Sequence, residues 1–199
     1  VDDPVLRTVE AALGAHFGQR PARASVSFVG VEPIEILRFE TGPDEVVYVS
    51  LGVSRRPMTR ADDWRTDPGA PRAEVELRVR PGAGVDEVWR SLAVLSASPA
   101  VEGVVLAPGM SVDLGSPLAA GSACQGVLVE TSAHPPIEVD PPIAGAAPVM
   151  ILSAVPATRD ELAWSRVHGA AALRSLWNEQ RVDLSDLGRR GAALPTTPI

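Results

Sequence analysis

The chain has 199 residues, 45% of them hydrophobic, and a formal net charge of −7. That length suits one domain able to bury roughly 70% of its unfolded surface without covalent staples. The acidic balance works against nucleic-acid binding, which needs a basic footprint, and the single cysteine, Cys124, excludes an internal disulfide and a multi-cysteine zinc site.

All 18 basic residues are arginine, and Ala, Gly, Pro and Val are abundant, the coding bias of a GC-rich bacterial genome. One unpaired cysteine fits a reducing cytoplasm. The first residues lack the basic, apolar pattern of a signal segment, and no apolar run approaches the ~20 residues of a membrane span. A cytoplasmic protein without membrane attachment is the expectation.

Asp3-Pro4 is a helix start: the carboxylate caps free N–H groups, and proline has none to waste at the first position. Val5, Val9, Leu13 and Phe17 recur at helical spacing, so a helix is predicted from Pro4 to Phe17, stopped by Gly18. His16 falls in its last turn, where the helix dipole favours it. Ala24–Val29 and Ile34–Thr41 are short strand patterns, and Gly42-Pro43-Asp44 turns the second into a hairpin with the next.

That next strand opens the stretch around which the chain is organised, Glu45 to Arg80. Val46, Val47, Tyr48 and Val49 suit a pleated, buried surface. In Glu74–Arg80, Val75, Leu77 and Val79 alternate with Glu74, Glu76, Arg78 and Arg80, which predicts a strand with one wet face. Between them, Arg55–Arg72 is a long loop rich in Asp, Arg and Pro. Met58 and Trp64 are apolar anchors in it, so it is expected to pack down. Arg55-Arg56 and Asp62-Asp63 would pair with each other at the surface, or line a rim that orients a partner.

Pro81-Gly82-Ala83-Gly84 leads into a helix with Val85, Val88, Trp89, Leu92 and Leu95 on its stripe, and Pro99 is expected to end it. Val101–Leu106 and Met110–Leu114 are weak strand or loop segments, whereas Cys124–Thr131 is a better strand. His134–Pro148 holds five prolines, which makes it an extended strap or edge loop. Val149–Val155 reads as a central strand. Thr158 and Glu161 form a capping box for a helix to Val167. Gly169 breaks or caps it, and a second helical piece carries Leu173, Leu176 and Trp177. One domain over 1–190 is expected, with a flexible tail over 191–199.

Signals for chemistry are thin. Gly82-Ala83-Gly84 lacks the third small residue of a dinucleotide-binding turn. Gly109-Met110-Ser111-Val112-Asp113 lacks the last glycine of a nucleophile elbow. Cys124 lies in an apolar strand pattern, where a buried thiol is the default. His134 and His168 are isolated, with no metal-ligand spacing. Asp62-Asp63 could act as general acid and base but reads better as solvated surface. Trp89 and Trp177 lie on helix stripes; Trp64 and Trp164 could serve as interface anchors.

Four blocks in order resemble the Suppressor of fused-like domain family, over about residues 28 to 190. They are Val47–Met58 with Gly52-Val53-Ser54-Arg55-Arg56-Pro57-Met58, Ala73–Val79, Trp89–Pro99, and Val149–Leu176 with Pro156-Ala157-Thr158, Glu161-Leu162, Gly169 and Leu173. The resemblance implies an α+β domain with a mixed or largely antiparallel central sheet and flanking helices, and no established catalytic activity, metal or cofactor. Animal Suppressor of fused holds a Gli peptide as an added β-strand between two halves; this chain resembles the first half only. Bacterial members resemble immunity proteins, which bind and block a toxin.

The resulting expectation is a non-catalytic module that binds another protein or peptide, a toxin being one such partner. The seat would be a strand edge near Val47–Ser54 and the adjoining loop, with Arg55, Arg56, Met58, Asp63, Trp64 and Asp67 as contact residues. The alternatives are a small hydrolase using Asp62, Asp63 or His134, and a structural subunit of a homo-oligomer.

Overall fold

Asp3 begins the first helix as its composition demands. Its carboxylate accepts from the N–H of Val5 at 2.8 Å and of Leu6 at 3.3 Å, and α1 runs Pro4–Phe17 to a left-handed Gly18. The structure is a computed structural model and describes residues 3–63, 67–82, 85–132 and 137–195, without the Asp86 side chain. Four strands follow α1: β1 (Ala22–Phe28), β2 (Val31–Gly42), β3 (Glu45–Leu51) and β4 (Arg72–Val79). Then come α2 (Val88–Glu102), entered through a 3-10 turn at Val85–Glu87, β5 (Ser111–Asp113), β6 (Cys124–Thr131), β7 (Glu138–Val139) and β8 (Val149–Thr158). α3 (Arg159–His168) and α4 (Ala170–Glu179) close the set.

The sheet order is β1-β2-β3-β4-β8-β6-β5, with β7 paired to the start of β8. Every pair is antiparallel except β4 with β8. This is the mixed α+β architecture expected. Strand alternation divides the core. Val47 and Val49 face α1, where Val5, Leu6, Val9 and Leu13 pack with Leu37, Phe39 and Ile151. Val46 and Tyr48 face α2, where Val88, Leu92 and Leu95 pack with Ile34, Ile36, Val75 and Leu77. A third cluster sets Leu162, Leu173 and Trp177 of α3 and α4 over Leu128 and Val155.

Four expectations need correction. β3 is not an edge: it pairs with β2 on one side and β4 on the other, so no chain can add beside Val46–Val49. The outer strands are β1 and β5. β4 has no wet face, since it lies between β3 and β8 and both Glu74 (0% exposed) and Glu76 (1%) are buried. Glu76 is satisfied by Arg78 and by the Ser132 hydroxyl at 2.8 Å. Pro99 does not end α2, which continues to Glu102 and a left-handed Gly103. Proline leaves the Leu95 carbonyl without its helical N–H, and the Ser98 hydroxyl supplies the donor at 2.8 Å. Consequently Val101 and Glu102 are helical rather than part of a strand.

The C-terminal segment is tied to α3 through one buried carboxylate. Glu161 completes the capping box with Thr158 and also accepts from Trp177 Nε1 (2.9 Å), the Ala192 N–H (2.8 Å) and both terminal nitrogens of Arg189 (2.8 and 2.9 Å). Burial alone would raise this carboxyl, but the bonds from Arg189 and its other donors hold it below the ordinary glutamate range. Burial likewise opposes the charge on Arg189, and Glu161 more than offsets it. No helix among the described residues is long and apolar enough to cross a membrane.

Candidate functional site

The chain leaves β3 at Leu51 and turns sharply through Gly52 into a 3-10 turn at Val53–Arg55. Gly52 has φ +149°, and a Cβ there would stand 3.2 Å from the Ile34 Cα, so only glycine is unstrained. A turn buried this close to the sheet must find partners for its backbone groups. Glu74 and Arg72, two residues apart on β4, provide them.

Glu74 accepts from the N–H groups of Gly52 (2.9 Å), Val53 (3.3 Å) and Ser54 (3.0 Å), and from the hydroxyls of Ser50 (2.5 Å) and Ser54 (2.6 Å). Arg72, 5% exposed, donates to the carbonyls of Ser54 (2.7 Å) and Arg55 (3.0 Å). Burial pushes its guanidinium down from the ordinary value, with Asp3 opposing. One buried anion thus holds the N–H groups of the turn and one buried cation its carbonyls. Hydrogen bonds to charged groups are the stronger kind, so the turn is rigid.

That rigidity aims Arg55 and Arg56. Arg55 lies 3.8 Å from Asp3 and 3.7 Å from Glu32 and donates to the Pro33 carbonyl; Arg56 lies 3.4 Å from Glu32 with its side chain 80% exposed. The expected pairing with Asp62-Asp63 is therefore replaced by pairing with the β2 end of the molecule. Asp62 and Asp63 are exposed, and the Asp63 carboxylate accepts from the Arg60 N–H at 2.9 Å within its own turn.

The turn, the β1–β2 connection and the C-terminal half of α2 enclose a cleft of about 270 Å³. Ile34, Val53, Met58 and Pro99 give it apolar walls, Ser96 lines it, and Arg55, Arg56 and Glu32 stand around it. A second, more open depression on the far side of Met58 reaches Asp62, Asp63 and Met110. Met58 (3% exposed) is common to both, and its N–H donates to the Pro71 carbonyl at 2.7 Å, tying the two ends of the loop.

Of the six contact residues expected from the sequence, Arg55, Arg56 and Met58 line the first cleft, and Asp63 joins Met58 in the second. Asp67 is exposed and bonds the Gly69 N–H at 2.9 Å, a local turn outside both clefts. Trp64 and His134 lie outside the described residues. Sequence reading missed Arg72, Glu74 and Ser96. The legible signal was Ser50-x-Gly52-x-Ser54, a row of small donors facing a glutamate on an otherwise apolar strand pair.

The reactive side chains elsewhere are quiet. Cys124 is wholly buried, and burial pushes its thiol up from the ordinary value. His168 is exposed and stacks on Trp164 with ring centroids 4.2 Å apart. No three His, Cys, Asp or Glu side chains among the described residues converge on a metal position.

The family model described as Suppressor of fused protein (SUFU) matches residues 30–190. The chain belongs to the SUFU family. Solved structures agree on the fold. A SUFU homologue from Neisseria gonorrhoeae superposes with a TM-score of 0.68 at 17% identity, over 96% of this chain and 98% of that one. Drosophila Suppressor of Fused gives 0.61 at 16% identity, over 96% of this chain but 51% of its own, so this SUFU chain spans about half of that protein. A Sufu–Fu complex gives 0.60 at 15% identity, over 96% and 92%. A search of the curated proteins finds no match.

Proposed function

We propose that this SUFU domain is a non-catalytic protein-binding module whose partner docks on the cleft between the Gly52–Pro57 turn and α2. The observation that carries the reading is the double anchoring of that turn by Glu74 and Arg72, which presents Arg56 and one wall of the cleft on a turn that need not reorganise. Preorganisation of this kind lowers the ordering cost of association. The exposed Val29 at the β1–β2 turn, next to the cleft residue Gly30, adds apolar contact surface. The structure of a relative in complex with Fu supports a protein as partner. Asp63 serves its own turn, so the reading assigns it no catalytic step.

A toxin to be neutralised is the partner class to test first, in a cytoplasmic setting. Products of neighbouring genes are offered to the immobilised parent, Arg56→Glu and Val29→Asp proteins. The proposal expects a protein retained by the parent and lost from both variants. Equal retention by all three would place the seat elsewhere, and turnover of a hydrolase substrate lost on Asp62→Asn would return the chain to the enzymes.

A further inference from the structure

One polar group in the cleft has no partner. Ser96 is 1% exposed, and its hydroxyl is buried without a hydrogen bond among the described residues. Helical serines commonly turn their hydroxyl onto a carbonyl of the preceding turn. Ser98, two residues on, does this with Leu95, and Ser96 does not. A buried hydroxyl left unpaired is destabilising and calls for an explanation. Ser96 lines a cleft whose other walls include Ile34, Met58 and Pro99.

Size and chemistry narrow the occupant. At about 270 Å³ the cleft is smaller than the roughly 300–1,000 Å³ that encloses a free small molecule. It suits one side chain of a larger partner. Leu, Met or Phe would fill the apolar walls and leave Ser96 unpaired. Lys or Arg would meet Arg55 and Arg56 at the mouth, where Glu32 is already paired with both, and a carboxylate would be buried against apolar walls. Tyrosine joins an apolar ring to a terminal hydroxyl. The Ser96 hydroxyl has almost no surface open to the empty cleft, so the wall must yield for a ring to reach it, and Met58, unbranched and adaptable, is best able to. Outside the cleft, Val29 (103% exposed) and Val101 (59%) adjoin the lining residues Gly30 and Ala100, an apolar margin for the segment carrying the anchor. Arg56, exposed and paired with Glu32 through one terminal nitrogen, keeps further donors for an acidic neighbour of that anchor.

We propose that the cleft receives a tyrosine side chain of the partner protein, its ring against Ile34, Met58 and Pro99 and its hydroxyl on Ser96, with an acidic residue beside it drawn to Arg56. This rests on the cleft as the partner's seat. The test uses side-chain probes on the full chain: p-cresol and toluene are titrated into isotope-labelled parent and Ser96→Ala proteins, followed by amide chemical shifts. Expected are shifts at 52–58 and 96–100, a preference of about fivefold for p-cresol in the parent, the worth of one hydrogen bond, and no preference in Ser96→Ala. Equal binding of the two probes by the parent would overturn the proposal, as would an unchanged preference in Ser96→Ala, or no shift at those amides. If neither probe enters while a captured partner still protects the cleft from hydrogen exchange, the tyrosine fails and the seat stands.

Discussion

Glu74→Gln is the substitution that most directly probes how the turn is held. Oε1 faces three donors, from Gly52 and Ser54, and Oε2 faces two, from Ser50 and Val53. The amide nitrogen of Gln is least disruptive in place of Oε2. There the Ser50 hydroxyl can reverse and accept from it, as it already accepts from the Val75 N–H at 2.9 Å. The Val53 N–H cannot reverse and loses its acceptor. One orphaned donor costs about 1–3 kcal/mol, and the bonds that remain weaken because their acceptor is neutral. Relief of the buried charge offsets part of this, leaving a net loss of about 2 kcal/mol. With a urea dependence of roughly 1–3 kcal/mol per molar, the unfolding midpoint falls by about 1 M. Tryptophan fluorescence during urea titration reads the midpoint, and native-state hydrogen exchange reads the amides of Gly52, Val53 and Ser54. A midpoint unchanged within about 0.3 M, with the three amides still protected, would refute the account of a carboxylate-anchored turn.

Arg72→Met strands two carbonyls and is expected to loosen the same three amides by exchange, with a stability loss of about 2 kcal/mol. Glu161→Gln has a pH signature. The folded carboxyl lies below its unfolded value of 4.5, so its contribution is present above that pH and is lost as pH falls through the folded value; the gap in stability between parent and variant, read by urea titration, therefore narrows below pH 4.5. Arg189→Met leaves that carboxylate buried without its cation and costs about 3–5 kcal/mol, whereas Arg189→Met with Glu161→Leu costs less than the sum of the singles. In α2, Ser98→Ala lowers stability by about 1 kcal/mol by freeing the Leu95 carbonyl, and the loss shrinks when Pro99→Ala restores the helical N–H.

Where a signal was local, it was legible. Asp3-Pro4 and Gly18 bound α1 at Pro4–Phe17, and the Cys124–Thr131 pattern is β6 from end to end. The Thr158–Glu161 capping box opens α3. Met58 packs down as expected because its loop closes on Pro71. Sheet order was not legible, because the parallel pairing of β4 with β8 joins strands more than 70 residues apart and leaves no mark in either. The alternation of Glu74–Arg80 was read correctly as a strand and wrongly as a wet one. Glu74 is satisfied by Ser50–Ser54, whose row of small donors was the one legible hint, and Glu76 by Arg78 and by Ser132, which lies more than 50 residues away and announces nothing in the local pattern. The same ignorance of neighbours made β3 look like an edge. At Pro99 the misleading feature was the proline and the compensating one was its neighbour, Ser98. Of the candidate site, the arginines and Met58 came from the loop sequence, while Ser96 lay on a helix face read only as core.

The measurement that bears most directly on the proposed seat is hydrogen exchange of the chain alone and bound to a captured partner. The account predicts new protection over 30–34, 52–59 and 96–100. Protection confined to the outer strands β1 or β5, with those three segments exchanging as in the free protein, would contradict it.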